Sequence, residues 1–304
     1  MISLETLQEQ QVSPGLIRDL ERFRQQYPVE RELADRLSEP PIPFYGKEIL
    51  EMAIAALLQG ENLLLCGAKA TGKNILAENL AWLFGRPMYN ISFHVNTDSS
   101  TLIGTDTFRD NEVQLRKGPV YQCAQYGGFG VLDEINMAKN DAVSVLHATL
   151  DYRRIIDVPG YDRVCLHPAA RFIGTMNYGY AGTRELNEAL VSRFLVIRMP
   201  DLSEETLLLI MKTSFPDAKA EALRQFAGLF LDLQAKAANS EISTKAMDLR
   251  GLLAALRTIR GGLKPRLAVE MGLTNKCFDG FERELIEDMV MTRIPESWTP
   301  EDVF

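Results

Sequence analysis

The sequence predicts an α/β protein: a five-stranded parallel sheet with helices on both faces, followed by a smaller all-helical domain. Three observations carry that expectation. Short apolar runs alternate with helical stretches between residues 62 and 200, as in parallel sheets covered on both faces. One of those runs, NLLLCG, leads directly into the turn GAKATGK and then into a helix, the context of a phosphate-binding loop or P-loop. After Pro200 the strand signals stop, and amphipathic helical spacing continues from Glu204 to near Arg293.

The elements follow in chain order. Residues 4 to 38 read as polar helices, with Leu16, Leu20, Phe23 and Tyr27 at helical spacing. EPPIPFYG interrupts them with three prolines and a glycine, which predicts a boundary near residue 41. KEILEMAIAALLQG reads as a helix closed by Gly60. The strands are NLLLCG, MYNISF, GFGVLDE, RFIGTMN and FLVIRMP, and the helix GKNILAENLAWLFG places Leu76, Leu80, Leu83 and Phe84 on one side. Two stretches alternate like hairpins: DTFRDNEVQLRKGP, after the second strand, and RRIIDVPGYDRVCLHP, which turns at Pro159-Gly160 before the fourth. The expected domains are therefore an N-terminal helical segment 1–41, a nucleotide-binding core 42–201 and a helical domain 202–304.

Composition narrows the classes. Hydrophobic residues make up 46% and charged residues 24%, ordinary for a globular chain, and no apolar stretch approaches the roughly 18 residues that span a bilayer. The opening MISLETLQEQ lacks a basic start before an apolar run, so a cytoplasmic protein is expected. Four scattered cysteines fit reduced thiols, and three scattered histidines supply no zinc cluster. A net charge of −8 argues against a mainly electrostatic grip on nucleic acid.

The chemistry centres on CGAKATGKN. Residues Gly67, Ala68, Lys69, Ala70, Thr71, Gly72, Lys73, Asn74 and Ile75 form the turn and the helix start that would surround phosphates. Backbone N–H groups and the helix N-terminus attract anions, Gly67 and Gly72 permit unusual backbone angles, and Lys73 can bridge the outer phosphates. Position 74 ordinarily carries Ser or Thr, whose hydroxyl holds Mg²⁺. Asn74 can bind the metal directly, hold one of its waters, or leave a site that binds nucleotide without turnover.

VLDE decides for turnover. It sets Asp133 and Glu134 at the carboxyl end of a strand, where ligands bind in such sheets. Asp133 suits Mg²⁺ held through water, and Glu134 suits orienting and deprotonating an attacking water. Asn177, ending RFIGTMN, can bond the same water or the outer phosphate. Arg193, before the fifth strand, can neutralise charge on a transferring phosphoryl group if a neighbouring subunit's nucleotide lies against it.

Taken together these residues resemble the AAA+ ATPases, within them the MoxR-type branch with its dynein-related core. GAKATGKN resembles the Walker A loop, GVLDEIN the Walker B strand, GTMN sensor 1 and LVSRF the arginine-finger segment, and the likeness covers roughly residues 42 to 295. That branch also carries an insertion in the helix after the second strand and a hairpin before sensor 1, where the two candidate hairpins fall. The resemblance implies an ATP-hydrolysing chaperone that uses ATP and Mg²⁺. It implies a ring, usually a hexamer, with Arg193 acting in trans. A protein client is implied, together with a partner carrying a von Willebrand factor A domain. A helical lid would place a sensor 2 cation over the phosphates: Arg250 is preferred, and Lys245 is the alternative. FYGKEI resembles the segment beside adenine, placing Tyr45 and Gly46 near the base.

Rival readings on this core are a nucleic-acid motor, a restriction-type GTPase and an ATP-sensing scaffold with little turnover. Arg109, Arg116, Lys117, Arg153, Arg154 and Arg163 leave DNA contact open at the hairpins. Tyr178 and Gly179 after Asn177 speak against GTP, since the GTPases that resemble this core carry an Asp shortly after that Asn. A small-molecule P-loop kinase is disfavoured by the Arg193 segment and the helical lid.

Overall fold

The computed structural model describes residues 2–109, 111–158, 160–177 and 186–304. The chain forms two compact units, residues 1–68 with 72–200, and residues 69–71 with 201–304.

The first unit opens with α1 (Leu4–Glu9) and α2 (Pro14–Gln26), followed by a short 3₁₀ turn and α3 (Lys47–Leu58). Ile2, Leu7, Val12, Ile17, Leu20 and Phe23 share one core with Leu50, Ile54, Leu57, Leu76 and Leu80, so the N-terminal helices are part of this unit. The proline-rich stretch after them is a strap inside the unit rather than a divide between units. Ile17 faces that core and is buried, whereas Leu16 is only half-buried, a one-residue rotation from the face expected.

β1 (Leu63–Gly67) leads into α4 (Lys73–Leu83), then β2 (Met88–Ser92), α5 (Ser99–Ile103), β3 (Gly104–Arg109), β4 (Glu112–Lys117), α6 (Pro119–Tyr126) and β5 (Phe129–Asp133). The chain continues through α7 (Asn140–Ser144), α8 (His147–Leu150), β6 (Ile155–Ile156), β7 (Val164–Cys165), β8 (Arg171–Asn177), α9 (Glu188–Val191) and β9 (Leu195–Arg198). The main sheet has the order β2-β5-β8-β1-β9, with every pair parallel. β1 is buried at every position, as an apolar run between two helical layers requires. Leu76, Leu80, Leu83 and Phe84, the expected inner face of α4, are all buried.

Both hairpins exist. β3 and β4 pair over six residues each, between the short helices α5 and α6, so the hairpin interrupts a helical connection. The second ladder is shorter than the alternation suggested, pairing only Ile155–Ile156 with Val164–Cys165. Its expected turn includes Pro159, and the contrast with GTPases uses Tyr178 and Gly179; these three residues lie outside those described.

The second unit contains α10 (Glu204–Ser214), α11 (Ala220–Ala238), α12 (Leu249–Arg260), α13 (Pro265–Gly272), α14 (Gly280–Arg293) and α15 (Pro300–Val303). Leu207, Met211, Phe226, Phe230, Leu252, Leu256, Val269 and Ile286 are buried in it. α12 and α13 meet backbone to backbone at Gly251 and Gly272: a Cβ on Gly251 would lie 2.2 Å from the Gly272 carbonyl oxygen. Nothing larger than hydrogen fits there.

Candidate nucleotide site

The register of the sheet assembles the site. β8 lies between β1 and β5, and Asn177 at its end pairs with Gly67, the first residue of the loop. On the other side, Leu132 pairs with Gly174, so Asp133 and Glu134 emerge beside Thr175 and Asn177. Three strands thus deliver the loop, the acid pair and the asparagine to one end of the sheet.

At the loop, Gly72 sits in the left-handed region (φ 84°) and caps α4. The next residue, Lys73, is buried, and its Nζ donates to the carbonyls of Gly67 (3.0 Å) and Ala68 (2.6 Å). Burial pushes the Lys73 ammonium down to about 8; Cys66, Asp133 and Glu134 oppose that shift by favouring its charge. Thr71 is buried, and Ala70 adopts a positive φ of 65°, a conformation uncommon outside glycine and suited to a turn closing around an anion.

Asn74 points its amide at the acid pair: Nδ2 donates to Asp133 Oδ1 at 3.1 Å. The same oxygen accepts from Thr175 Oγ1 at 2.6 Å. The Thr175 hydroxyl also accepts the backbone N–H of Glu134 (3.1 Å), so one buried threonine fixes the carboxylate of the first acid and the backbone of the second. Glu134 itself adopts a left-handed conformation, φ 53° and ψ 45°, which turns the chain sharply out of the strand. Its Oε1 accepts from Asn177 Nδ2 at 3.1 Å, and the Asn177 carbonyl accepts from Asn136 Nδ2 at 3.2 Å.

Thr175 and Asn136 are the residues that the sequence reading missed. A signal existed for Thr175, two positions before Asn177 and hence on the same face of β8. Nothing local pointed to Asn136.

This donor set fits a triphosphate and a hard divalent cation. A buried lysine, a loop held open by positive φ angles and a helix start suit the phosphates. One carboxylate with an adjacent amide suits Mg²⁺, which retains most of its waters and takes few protein ligands.

Arg193 is not brought to this end. Asn62 precedes β1, Arg171 starts β8 and Leu195 starts β9, so the arginine lies at the opposite end of the strands, beside a cavity of about 640 Å³ lined by Asn62, Asp151, Arg154, Arg171 and Leu195 among others. Its guanidinium is held within the chain by the Asp151 carboxylate (3.3 Å) and the carbonyls of His147 (3.1 Å) and Ala189. Lys245 and Arg250 are both exposed in the second unit, at and just before the start of α12. Tyr45 and Gly46 immediately precede α3 in the first.

A glycine-rich loop, an acid pair and an asparagine at the carboxyl end of one parallel sheet define a P-loop nucleotide-binding protein of the AAA+ type. The chain belongs to the AAA domain family, dynein-related subfamily, which matches residues 62–194. It is 31% identical over 271 residues to the uncharacterized protein YojN of Bacillus subtilis (strain 168), covering 87% of this chain and 88% of that one. It is 30% identical over 246 residues to the uncharacterized protein SERP0979 of Staphylococcus epidermidis, covering 78% of this chain and 92% of that one. Similarity to SAB1265c of Staphylococcus aureus is 33% over 199 residues, or 64% of this chain and 76% of that one.

Proposed function

We propose that the protein is an ATP-hydrolysing chaperone of the MoxR type that remodels or matures client proteins. The observation that carries this reading is the Glu134–Asn177 hydrogen bond set beside the Asp133–Thr175–Asn74 network, at the strand ends next to Lys73. A protein that only stored nucleotide has no use for an oriented carboxylate beside the phosphate loop. Asp133 would hold Mg²⁺, with Asn74 reaching it directly or through water; the cation would draw charge off the transferred phosphoryl group. Lys73 and the N-terminus of α4 would grip the phosphates, Glu134 would take the proton of the attacking water, and Asn177 would hold that carboxylate in place.

Asn74 is read as a working substitute for the usual hydroxyl. Its Nδ2 faces a carboxylate, which can only accept, so the amide carbonyl occupies the opposite edge. A threonine hydroxyl at 74 could donate to the same Asp133 oxygen. Asn74→Thr is therefore expected to keep or raise ATP turnover, measured by phosphate release; a collapse of turnover would assign the amide a role that no hydroxyl can fill.

Assembly as a ring, with six subunits expected, would carry Arg193 from the far end of one sheet to the phosphates of the next subunit. Its exchange from Asp151 to that neighbour would couple assembly to hydrolysis. Arg193→Ala is expected to bind ATP normally and to lose at least about a hundredfold in turnover, in line with the 10³–10⁵ typical of such arginines. Mixing it with Glu134→Gln subunits tests the trans geometry: the mixture should regain activity that neither variant has alone. A wild-type rate in Arg193→Ala would remove the arginine from the mechanism.

The client reading rests on the first hairpin. Phe108 and Val113 are cross-strand neighbours on β3 and β4, and 74% and 62% of their surfaces are exposed. An exposed apolar pair on a two-stranded ladder suits a protein surface better than a phosphate backbone. Several of the basic residues that left DNA open are occupied. Lys117 bonds Gln125, Arg153 and Arg163 pair with Asp151 and Asp157, and Arg154 reaches the carbonyls of Gly60, His167 and Ala170. A von Willebrand factor A domain partner, a cytoplasmic location, Arg250 (or Lys245) as the sensor 2 cation, and a lid beginning near residue 202 belong to the same proposal.

A further inference from the structure

The strap between the N-terminal helices and α3 is held by two side-chain amides. Gln10, at the end of α1, donates from Nε2 to the Phe44 carbonyl (2.9 Å) and accepts the Gly46 N–H at Oε1 (3.0 Å). One primary amide thus spans Tyr45 and fixes the peptide planes on both sides of it. From the opposite side Asn79, in α4, accepts the Phe44 N–H at Oδ1 (3.0 Å) and donates from Nδ2 to the carbonyls of Ile42 (2.9 Å) and Ile75 (2.7 Å). The Phe44 ring then packs against the phosphate loop: a Cβ on Gly72 would lie 3.6 Å from it. Gly46 takes φ 150°, a conformation that the strap's own sequence does not enforce, so the clamp has to hold it.

The helix bearing Gln10 is itself anchored to the core. Trp82 Nε1 in α4 donates to the Ile2 carbonyl (2.7 Å), and the Ser13 N–H donates to Glu51 in α3 (2.8 Å). A continuous set of hydrogen bonds therefore runs from α1 through the strap to the helix that begins at Lys73.

We propose that Gln10 is a positioning residue for the nucleotide base. This rests on the ATP reading above, together with the likeness of FYGKEI to the segment beside adenine, which would set Tyr45 and Gly46 near the base. Gln10 holds those two residues in the conformation that receives the base, and this makes α1 a functional wall of the pocket. The phosphates depend on Lys73 and the loop, whereas the base depends on the strap. A strap held before binding spares the ligand the cost of ordering it.

The experiment compares two ligands, ADP and inorganic tripolyphosphate, which has no base. Gln10→Ala removes the clamp. Gln10→Glu keeps an acceptor for the Gly46 N–H and sets a carboxylate against the Phe44 carbonyl. Calorimetry on both variants of the full chain should show ADP binding weakened by about tenfold, the scale of one or two neutral hydrogen bonds, with tripolyphosphate affinity unchanged. Steady-state kinetics should show KM for ATP raised with kcat preserved. Should Gln10→Ala not fold, Gln10→Glu carries the comparison. Unchanged ADP affinity in a folded variant overturns the assignment, and so does equal weakening of ADP and tripolyphosphate, which would make Gln10 a support for the loop as a whole. Failure of the wild-type protein to bind ADP or ATP would sink the ATP reading itself, an outcome separate from these.

Discussion

Glu134→Gln is expected to bind ATP with wild-type affinity and to hydrolyse it about 10²- to 10⁴-fold more slowly, the range that a positioned general base contributes. The expectation follows from where the side chain is held. Its backbone N–H is tied to Thr175 and one carboxylate oxygen to Asn177, so the residue is oriented from two sides before any water arrives. Glutamine keeps the shape and can still accept from Asn177, but its amide cannot take a proton. Binding would rest on Lys73 and the loop, whose hydrogen bonds to the Gly67 and Ala68 carbonyls do not involve Glu134. Phosphate release and calorimetry on one preparation separate the two effects. A wild-type rate would show that the carboxylate is not the base. Loss of binding would show that Glu134 organises the loop instead. The variant is also expected to trap nucleotide, so proteins recovered with it from its own cells in ATP would be candidates for the proposed client.

The parts of this site that could be read from the sequence are those with local context. The five strands were readable because each is a short apolar run between helices. Lys73, Asp133, Glu134 and Asn177 were readable because each ends or follows such a run, and a parallel sheet gathers those ends on one side. Residues whose partners are distant in the chain carried no such cue. Gln10 looks like any polar residue at the end of a short helix, yet its partners lie 34 and 36 positions away. Asn79 sits mid-helix, where an asparagine ordinarily faces solvent; here it is buried and spends its amide on the strap. Asp151 reads as a turn residue, and nothing local predicts that it holds Arg193, 42 residues on. Periodicity says which face of an element is apolar, but not which distant backbone group a buried amide or carboxylate will find.

Lys73→Ala should have the largest effect on binding. The side chain is buried, so the ammonium has already lost most of its water and is paired with the Gly67 and Ala68 carbonyls. Phosphate oxygens would replace or supplement those neutral acceptors with charged ones, and charge-assisted hydrogen bonds are worth roughly 1.5–3 kcal/mol each. ATP affinity is therefore expected to fall at least about a hundredfold; unchanged affinity by calorimetry would refute the role of the loop. The depressed pKa adds a second readout. The free lysine, held down to about 8, is charged below that pH and neutral above it. ATP prefers the charged form, so binding raises the pKa, and above about pH 8 each binding event takes up a proton. Wild-type affinity should then decline as pH rises through 8, by up to about tenfold per pH unit. Calorimetry at pH 8.5 in buffers of different ionisation enthalpy should register the uptake, and at pH 6.8 that uptake should be close to zero. Lys73→Ala should lose both the decline and the proton. A decline that persists in the alanine variant would place the titrating group elsewhere in the pocket and leave Lys73 without its proposed charge.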